Sequence, residues 1–270
     1  MDTIIIAVVS VTAISAVCAV ILCAASKFMA VKSDERMVKI RECLPGTNCG
    51  ACGFPGCDGY AAALISGGDV KTNLCAPGGA AVLEQLSGIL GVDAGDPAVK
   101  TAVVRCGGGD LQQKKKMDYK GIETCMAAKQ LFGGEGMCAF GCLGYGDCQA
   151  ACPGGAICME NKLARVIPGL CTGCGLCVKA CPNNLITVDD ESIAVAVLCK
   201  NMEKGAVVRK KCSSGCIGCK KCVRECEAGA IAVEDNLAAI DYEKCTGCGH
   251  CAGVCVTKSI KLLAHKDYKI

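Results

Sequence analysis

One cysteine spacing, C-x2-C-x2-C-x3-C, occurs three times in this chain and constrains its fold more than any other feature. The three runs are Cys171–Cys181, Cys216–Cys226 and Cys245–Cys255. Three thiolates in so tight a loop bind three irons of one cubane, while the fourth points away and ligates the other cluster of a pair. Zinc sites instead use two close pairs of cysteines. The spacing therefore predicts paired 4Fe-4S clusters.

The paired arrangement also predicts a fourth run at a fixed distance. Cys226 and Cys245 are 19 positions apart, and Cys152 lies 19 positions before Cys171. Counting back from Cys152 gives a stretched run, Cys138-x3-Cys142-x5-Cys148-x3-Cys152. The chain thus contains an internal repeat, which predicts two tandem ferredoxin-like modules at 136–200 and 201–270. Short apolar segments after the fourth cysteines suit their small strands.

Exchange of the fourth ligands within each pair predicts four clusters. The expected ligand sets are Cys138, Cys142, Cys148 and Cys181; Cys171, Cys174, Cys177 and Cys152; Cys216, Cys219, Cys222 and Cys255; and Cys245, Cys248, Cys251 and Cys226.

A different cysteine pattern lies closer to the amino terminus. Cys49, Cys52 and Cys57 stand close together among glycines, and Cys75 follows after a short helical segment. Glycine lets the backbone approach an inorganic cluster closely. We expect a small domain at 29–80 with one further 4Fe-4S cluster; a zinc knuckle is the alternative.

The remaining cysteines of the soluble part divide into two kinds. Cys106, Cys125, Cys199 and Cys212 lie at module edges, and together they predict a sixth cluster; the alternative is that some are plain buried thiols. Cys43 and Cys158 are expected to bind nothing.

The first apolar stretch, from Ile4 to Ala25, contains no charged residue. Its length suffices for a transmembrane helix, and a cleaved signal peptide would need a basic start that is missing. Because Lys27, Lys32 and Arg36 follow it, the positive-inside rule places the rest of the chain in the cytoplasm. Thiols stay reduced there, so disulfides explain the 28 cysteines poorly. We expect Cys18 and Cys23, both in the helix, to pack as small apolar residues.

Composition supports a fold held together by clusters. Aromatic residues make up 3% and tryptophan is absent, so apolar burial alone would stabilise the chain poorly. The formal net charge of +3 does not indicate a nucleic-acid partner. We predict an α+β chain: a transmembrane anchor at 1–28, the four-cysteine domain, a connector with a lysine-rich loop at 81–135, and the two modules.

Neither a Rossmann glycine motif nor an acid–base or nucleophile constellation stands out. The predicted chemistry is electron transfer without catalytic residues.

The order of these modules resembles the B subunits of the Rnf complexes, with the anchor first, Cys49-x2-Cys52-x4-Cys57 and Cys75 next, and ferredoxin repeats last. Rnf complexes are ion-translocating ferredoxin:NAD⁺ oxidoreductases of bacterial membranes. The resemblance implies a single-pass protein of the inner membrane that accepts electrons from soluble reduced ferredoxin. It implies that they pass to membrane and flavin-bearing subunits that export Na⁺ or H⁺, so no complete active site is expected in this chain. The alternative is an electron-transfer subunit of a hydrogenase or quinone-linked oxidoreductase.

Three basic runs are candidates for docking an acidic ferredoxin: Lys114–Lys116, Arg209–Lys211, and Lys220 and Lys221 with Arg224. A cubane with four thiolates carries about −2, so six would change the net charge from +3 to roughly −9. The alternative is therefore that these lysines only balance cluster charge.

Overall fold

The computed structural model describes residues 2–28, 35–67, 70–93, 95 and 99–263 of the chain. The first residues of the predicted four-cysteine domain, 29–34, lie outside the described residues, and Lys32 is among them. So do the last residues of the second module, 264–270.

The chain begins with a long apolar helix, α1 (Asp2–Phe28). Its stretch Val8–Ser26 is long and apolar enough to cross a membrane, and the side chains of that stretch are exposed. It is the one helix of this kind in the described part of the chain. An unpartnered apolar helix of this length suits lipid rather than water.

A small helical domain follows, made of α2 (Glu35–Cys43), α3 (Cys57–Ile65) and α4 (Gly79–Leu90). Two 3-10 turns, Thr72–Leu74 and Ala76–Gly78, connect α3 to α4. Ile40, Tyr60 and Leu86 come one from each helix and are fully buried together. This compact core fixes the loop between α2 and α3, which contains Cys49 and Cys52.

The rest of the chain contains eight short strands among its described residues. They are β1 (Lys100–Val104), β2 (Ile157–Glu160), β3 (Leu163–Val166), β4 (Ile186–Asp190), β5 (Val195–Val197), β6 (Ile231–Glu234), β7 (Leu237–Ile240) and β8 (Ile260–Leu262). All pair in antiparallel twos: β1 with β4, β2 with β3, β5 with β8 and β6 with β7. Each module thus has an outer pair and an inner hairpin in the same order.

Six short helices lie between these strands. They are α5 (Cys125–Gln130), α6 (Asp147–Ala150), α7 (Leu176–Ala180), α8 (Gly205–Lys211), α9 (Lys221–Arg224) and α10 (His250–Gly253). Four of them contain a cysteine of a predicted ligand run: α6, α7, α9 and α10.

The outer strand pairs cross the predicted module boundaries. β1 lies in the segment predicted as a connector, yet it pairs with β4 of the first module. β5 lies in the predicted first module, yet it pairs with β8 at the end of the second. Each module takes one strand from ahead of its first cysteine run, because the last strand needs a partner to cover its edge.

The two modules pack side by side through these outer strands. Val103 of β1 is buried with Ala196 and Leu198 of the β5 segment. Arg105 extends the contact: its guanidinium pairs with Asp189 at 2.7 Å and donates to the hydroxyl of Tyr242 at 2.8 Å. A largely buried arginine thus joins β4 of one module to the inner hairpin region of the other.

Candidate iron–sulfur sites

In the first module, the second cysteine run surrounds a cavity. Cys152, Cys171, Cys174 and Cys177 line this small cavity. The backbone N–H of Ala156 donates to Cys152 Sγ, and that of Ala102 in β1 donates to Cys171 Sγ, both at 3.3 Å. Burial, together with smaller effects of Cys171, Cys174 and Cys152, raises the pKa of Cys177 to about 11. The four thiols of the crossed prediction thus lie together.

The second module brings its cysteines together in two groups. Burial raises the pKa of Cys222 to about 11, and the next largest effects come from Cys216, Cys219 and Cys255. Burial likewise raises the pKa of Cys251, with further increases from the other group members: Cys245, Cys248 and Cys226. In each group, three cysteines come from one run and the fourth, which is distant in sequence, comes from the other run. Paired clusters require this arrangement of ligands.

The small helical domain gathers the four cysteines that its pattern singles out. Cys57 is the first residue of α3. The backbone N–H of Cys57 donates a hydrogen bond to the side-chain oxygen of Asn48 at 2.8 Å. Burial raises the pKa of Cys75, and Cys57, Cys52 and Cys49 raise it further. Asn48 and Gly56 both have positive φ, so the loop turns tightly around these thiols.

The first run of the first module differs from the expected grouping. A small cavity is lined by four thiols, those of Cys125, Cys142, Cys148 and Cys181. Cys138, which the stretched run assigned to this set, does not line it. A second small cavity is lined by Cys106, Cys138, Cys199 and Cys212. In the structure, Cys125 therefore stands in the set predicted to contain Cys138, and Cys138 stands in the set predicted to contain Cys125.

The reason for this exchange lies at Tyr145. With Tyr145 in the second position, Cys142-x2-Tyr145-x2-Cys148-x3-Cys152 has the same spacing as the other three runs. The backbone agrees: Gly144, just before Tyr145, has φ 81°, and the glycines in the same place in the other runs are also left-handed, at Gly173, Gly218 and Gly247. The run thus has tyrosine where the other runs have their second cysteine, and Cys138 lies before the run rather than in it.

Cys125 supplies the missing thiol from outside the run. It is the first residue of α5, and the helix is capped by Thr124, whose hydroxyl accepts a hydrogen bond from the Ala127 N–H at 3.2 Å. The carboxylate of Asp147, between Tyr145 and Cys148, accepts from the backbone N–H groups of Cys125 and Met126 at 2.9 and 3.0 Å. The run itself therefore holds α5 in place. The tyrosine at the second position of an otherwise regular run was the signal in the sequence that this run needs a ligand from elsewhere.

The Cys106 group takes equivalent cysteines from both modules. Cys106 and Cys199 each follow an outer strand by two residues, and Cys138 and Cys212 each precede the first cysteine of a run by four. The N–H of Cys142 donates to Cys106 Sγ at 3.4 Å, and the N–H of Cys216 donates to Cys199 Sγ at 3.3 Å. The side chain of Asn201 donates to Cys138 Sγ at 3.4 Å. This site lies between the modules and is nearly symmetric.

The chemistry of these groups fits iron–sulfur clusters. Burial raises the pKa values of Cys106 and Cys148 to about 12, so their thiolates need a bound cation. Donors to sulfur stabilise that charge. In the described part of the chain, no three His, Cys, Asp or Glu side chains are arranged to hold a single metal ion. Four thiolates around a cubane stand further apart, because each binds a different iron.

Four cysteines lie outside these groups. Cys18 and Cys23 are on the exposed surface of α1, and Cys43 ends α2. Cys158 is in β2, where its thiol lies 3.9 Å from the carbonyl oxygen of Arg165.

Family models match three of these regions. The model described as "Putative Fe-S cluster" matches residues 44–77, a "4Fe-4S binding domain" matches 164–187, and a "4Fe-4S dicluster domain" matches 215–259. The matches cover the Cys49 group, the second run of the first module and both runs of the second.

Curated relatives match most of the chain, and each is the B subunit of a redox complex. That of the Na⁺-translocating ferredoxin:NAD⁺ oxidoreductase complex of Acetobacterium woodii is 39% identical over 87% of this chain and 70% of its own length. That of the proton-translocating ferredoxin:NAD⁺ oxidoreductase complex of Clostridium ljungdahlii is 40% identical over 97% of this chain and 94% of its own. That of the ion-translocating oxidoreductase complex of Methanosarcina acetivorans is 41% identical over 90% of this chain and 92% of its own length.

Proposed function

The chain belongs to the family of B subunits of ion-translocating ferredoxin:NAD⁺ oxidoreductase complexes, and we propose that it connects soluble ferredoxin to the membrane subunits of such a complex. Within that family it is an iron–sulfur electron-transfer subunit. Bound 4Fe-4S clusters supply one-electron carriers. The chain's own residues hold them in order, shield them from water and keep them at fixed separations.

Six four-cysteine groups carry this proposal. Three of them line small cavities of similar size. The Cys106 group lies between the modules and takes two thiols from each side. A continuous series of carriers could thus extend from the second module, through this group, to the first. A subunit that only stored iron would need no such sequence of sites.

The anchor supports a membrane location for this series. Val8–Ser26 is the candidate span, and Arg36, Lys39 and Arg41 follow within a short distance. By the positive-inside rule, both modules and the helical domain then lie on the cytoplasmic side of the inner membrane. Ferredoxin is available there, and flavin-bearing membrane subunits would receive the electrons.

The function is tested on the whole complex, purified with and without this chain. Without it, NAD⁺ reduction by reduced ferredoxin is expected to fall to background. Oxidation of NADH by an artificial acceptor should remain, because that reaction needs only the other subunits. Ferredoxin-dependent activity that persists without the chain would contradict the proposal. So would copurification with hydrogenase or quinone-reductase subunits.

Lys179 connects the helical domain to the first module. Its ammonium group on α7 donates to the backbone carbonyl of Cys49 at 2.9 Å, across 130 positions of sequence. Cys177, in the same helix, belongs to the neighbouring four-thiol group. This bond therefore keeps the Cys49 group close to the first module, on the side of the chain that leads to the anchor.

We expect Lys179→Met to loosen this contact. A hydrogen bond from a charged group contributes roughly 1.5–3 kcal/mol, so amide hydrogen exchange in residues 49–57 should become at least about tenfold faster. Lys116→Met is the matched control, because its ammonium also donates to a backbone carbonyl, that of Phe132 at 2.6 Å, outside the helical domain. Equal exchange rates in both variants would show that Lys179 does not hold the domain.

A further inference from the structure

Resting on the proposed function, we propose that the acidic electron donor docks on the second module at Cys219, on a surface formed by Lys220, Lys221 and Arg224. The partner is a small protein with a negatively charged face around its own cluster. The sequence contains three basic runs that could dock such a partner. The structure distinguishes them by the exposure of the nearest cluster thiol and by whether the basic side chains are already paired.

Cys219 is one of two exposed thiols among the described cysteines of the six groups. It is exposed, whereas Cys216 and Cys222 of the same group are buried and Cys255 is half-buried. A cluster held by these four thiolates would therefore meet solvent at Cys219. In the first module the equivalent position is Tyr145, and the thiol that replaces it, Cys125, is only 8% exposed. That module offers no comparable thiol at its first run.

Three basic side chains lie close to Cys219 in the sequence, ahead of the exposed Glu225 and Glu227. Lys220 and Lys221 follow it, and Arg224 ends the one-turn helix α9; all three are exposed. Among the residues that the structure describes, no acidic side chain forms an ion pair with them: the ion pairs of this module join Lys211 to Glu203 and Lys244 to Asp241. These three charges are therefore available to a partner.

A second basic element packs against the same cysteine loop. The amino terminus of α8 touches it so closely that a Cβ on Gly205 would lie 2.4 Å from the carbonyl oxygen of Ile217. Arg209 and Lys210 of α8 are exposed. Met202, just before α8, is 51% exposed and adds an apolar contact. Interfaces of this kind combine steering charges with a small apolar centre.

The other exposed cluster thiol, Cys248, lacks this charge. Lys244 on that side is already paired with Asp241 at 3.0 Å, and Glu243 is exposed beside them. The run Lys114–Lys116 also fits less well, because the Lys116 ammonium donates to a backbone carbonyl and Lys115 lies 3.7 Å from Glu135. Charge and thiol exposure coincide only at Cys219 among the described cysteines of the two modules.

The test uses the full chain with its clusters, in detergent, and a purified acidic bacterial ferredoxin as the probe. Calorimetry measures the dissociation constant, and stopped-flow absorbance measures reduction by the reduced ferredoxin and, separately, by dithionite. Lys220→Glu with Lys221→Glu is expected to weaken binding and slow ferredoxin-dependent reduction by about tenfold. The dithionite rate should not change, because that small reductant needs no docking surface.

Lys114→Glu with Lys116→Glu is the matched control, since it makes the same change in net charge. We expect it to alter binding by less than about twofold. An equal effect of both double variants, or no effect of either, would overturn the docking site while leaving the proposed function intact. If dithionite reduces the wild-type chain and ferredoxin does not, the proposed function itself fails.

Discussion

Replacing Cys138 and Cys199 together with alanine is expected to remove one cluster rather than damage two. Both thiols line the cavity between the modules, so the double variant leaves that site with only Cys106 and Cys212. Two thiolates cannot hold a cubane that needs four. The loss should be about 4 iron atoms from a full content of roughly 24, six clusters of four.

The reciprocal variant, Cys125→Ala with Cys199→Ala, separates the two groupings. In the structure these thiols belong to different cavities, so two sites should each keep three thiolates. Such sites are expected to give the electron paramagnetic resonance signal of oxidised three-iron clusters, which the first variant should lack. Grouping by the stretched run requires the reverse: two damaged sites in the first variant and one lost cluster in the second.

Iron and sulfide analysis together with that signal therefore decides the grouping. Cys158→Ala is the control for the loss of a thiol as such, because Cys158 lies in β2 outside every group. It should change neither the iron content nor the spectrum. If both double variants show the three-iron signal, neither Cys125 nor Cys138 shares a site with Cys199, which contradicts the placement of Cys138 in the cavity between the modules.

Local spacing was enough to predict the cysteines that lie within one run. The ligands at Cys171, Cys174 and Cys177 follow each other within seven residues, so the chain itself keeps them close. Cys125 and Cys142 are 17 residues apart, and no rule of spacing joins them. Their proximity depends on the Asp147 carboxylate, which holds the amino terminus of α5.

The outer strands could not be predicted for a related reason. β5 has three residues, too few for a periodic pattern, and the five residues of β1 do not alternate between polar and apolar side chains. Each becomes a strand because of its partner: Ala102 pairs with Val188, and Val197 pairs with Ile260. Contacts between residues more than 60 positions apart cannot be inferred from either segment alone. The long apolar helix α1, by contrast, follows from composition without any partner.

Removing the iron is expected to unfold both modules while α1 stays helical. The change is anaerobic treatment with an iron chelator and a reductant that keeps the thiols reduced. Far-ultraviolet circular dichroism should then lose the contribution of the strands and short helices of the modules. Amide exchange in β1 and β4 should approach that of an unstructured chain. Helix α1 should persist, because its apolar stretch contains no cluster ligand.

The physical reason is the small apolar core of each module. Cysteines form part of that core, as with Cys216, Cys222 and Cys251 in the second module beside Val195 and Ile260. Without iron, these buried thiols lose the bonds that join one cysteine loop to another. In the first module and between the modules, three four-thiol groups depend on such bonds.

The free energy of binding a cluster contributes directly to the free energy of folding, because the unfolded chain does not preform the site. A domain has only about 5–15 kcal/mol of net stability, so a module that loses its clusters is not expected to remain folded. The Arg105–Asp189 pair and the Val103 contact join the modules, so unfolding of one should destabilise the other. A cooperative unfolding transition that survives complete iron removal would mean that apolar packing and strand pairing suffice. In that case the clusters would bind to a fold that forms without them.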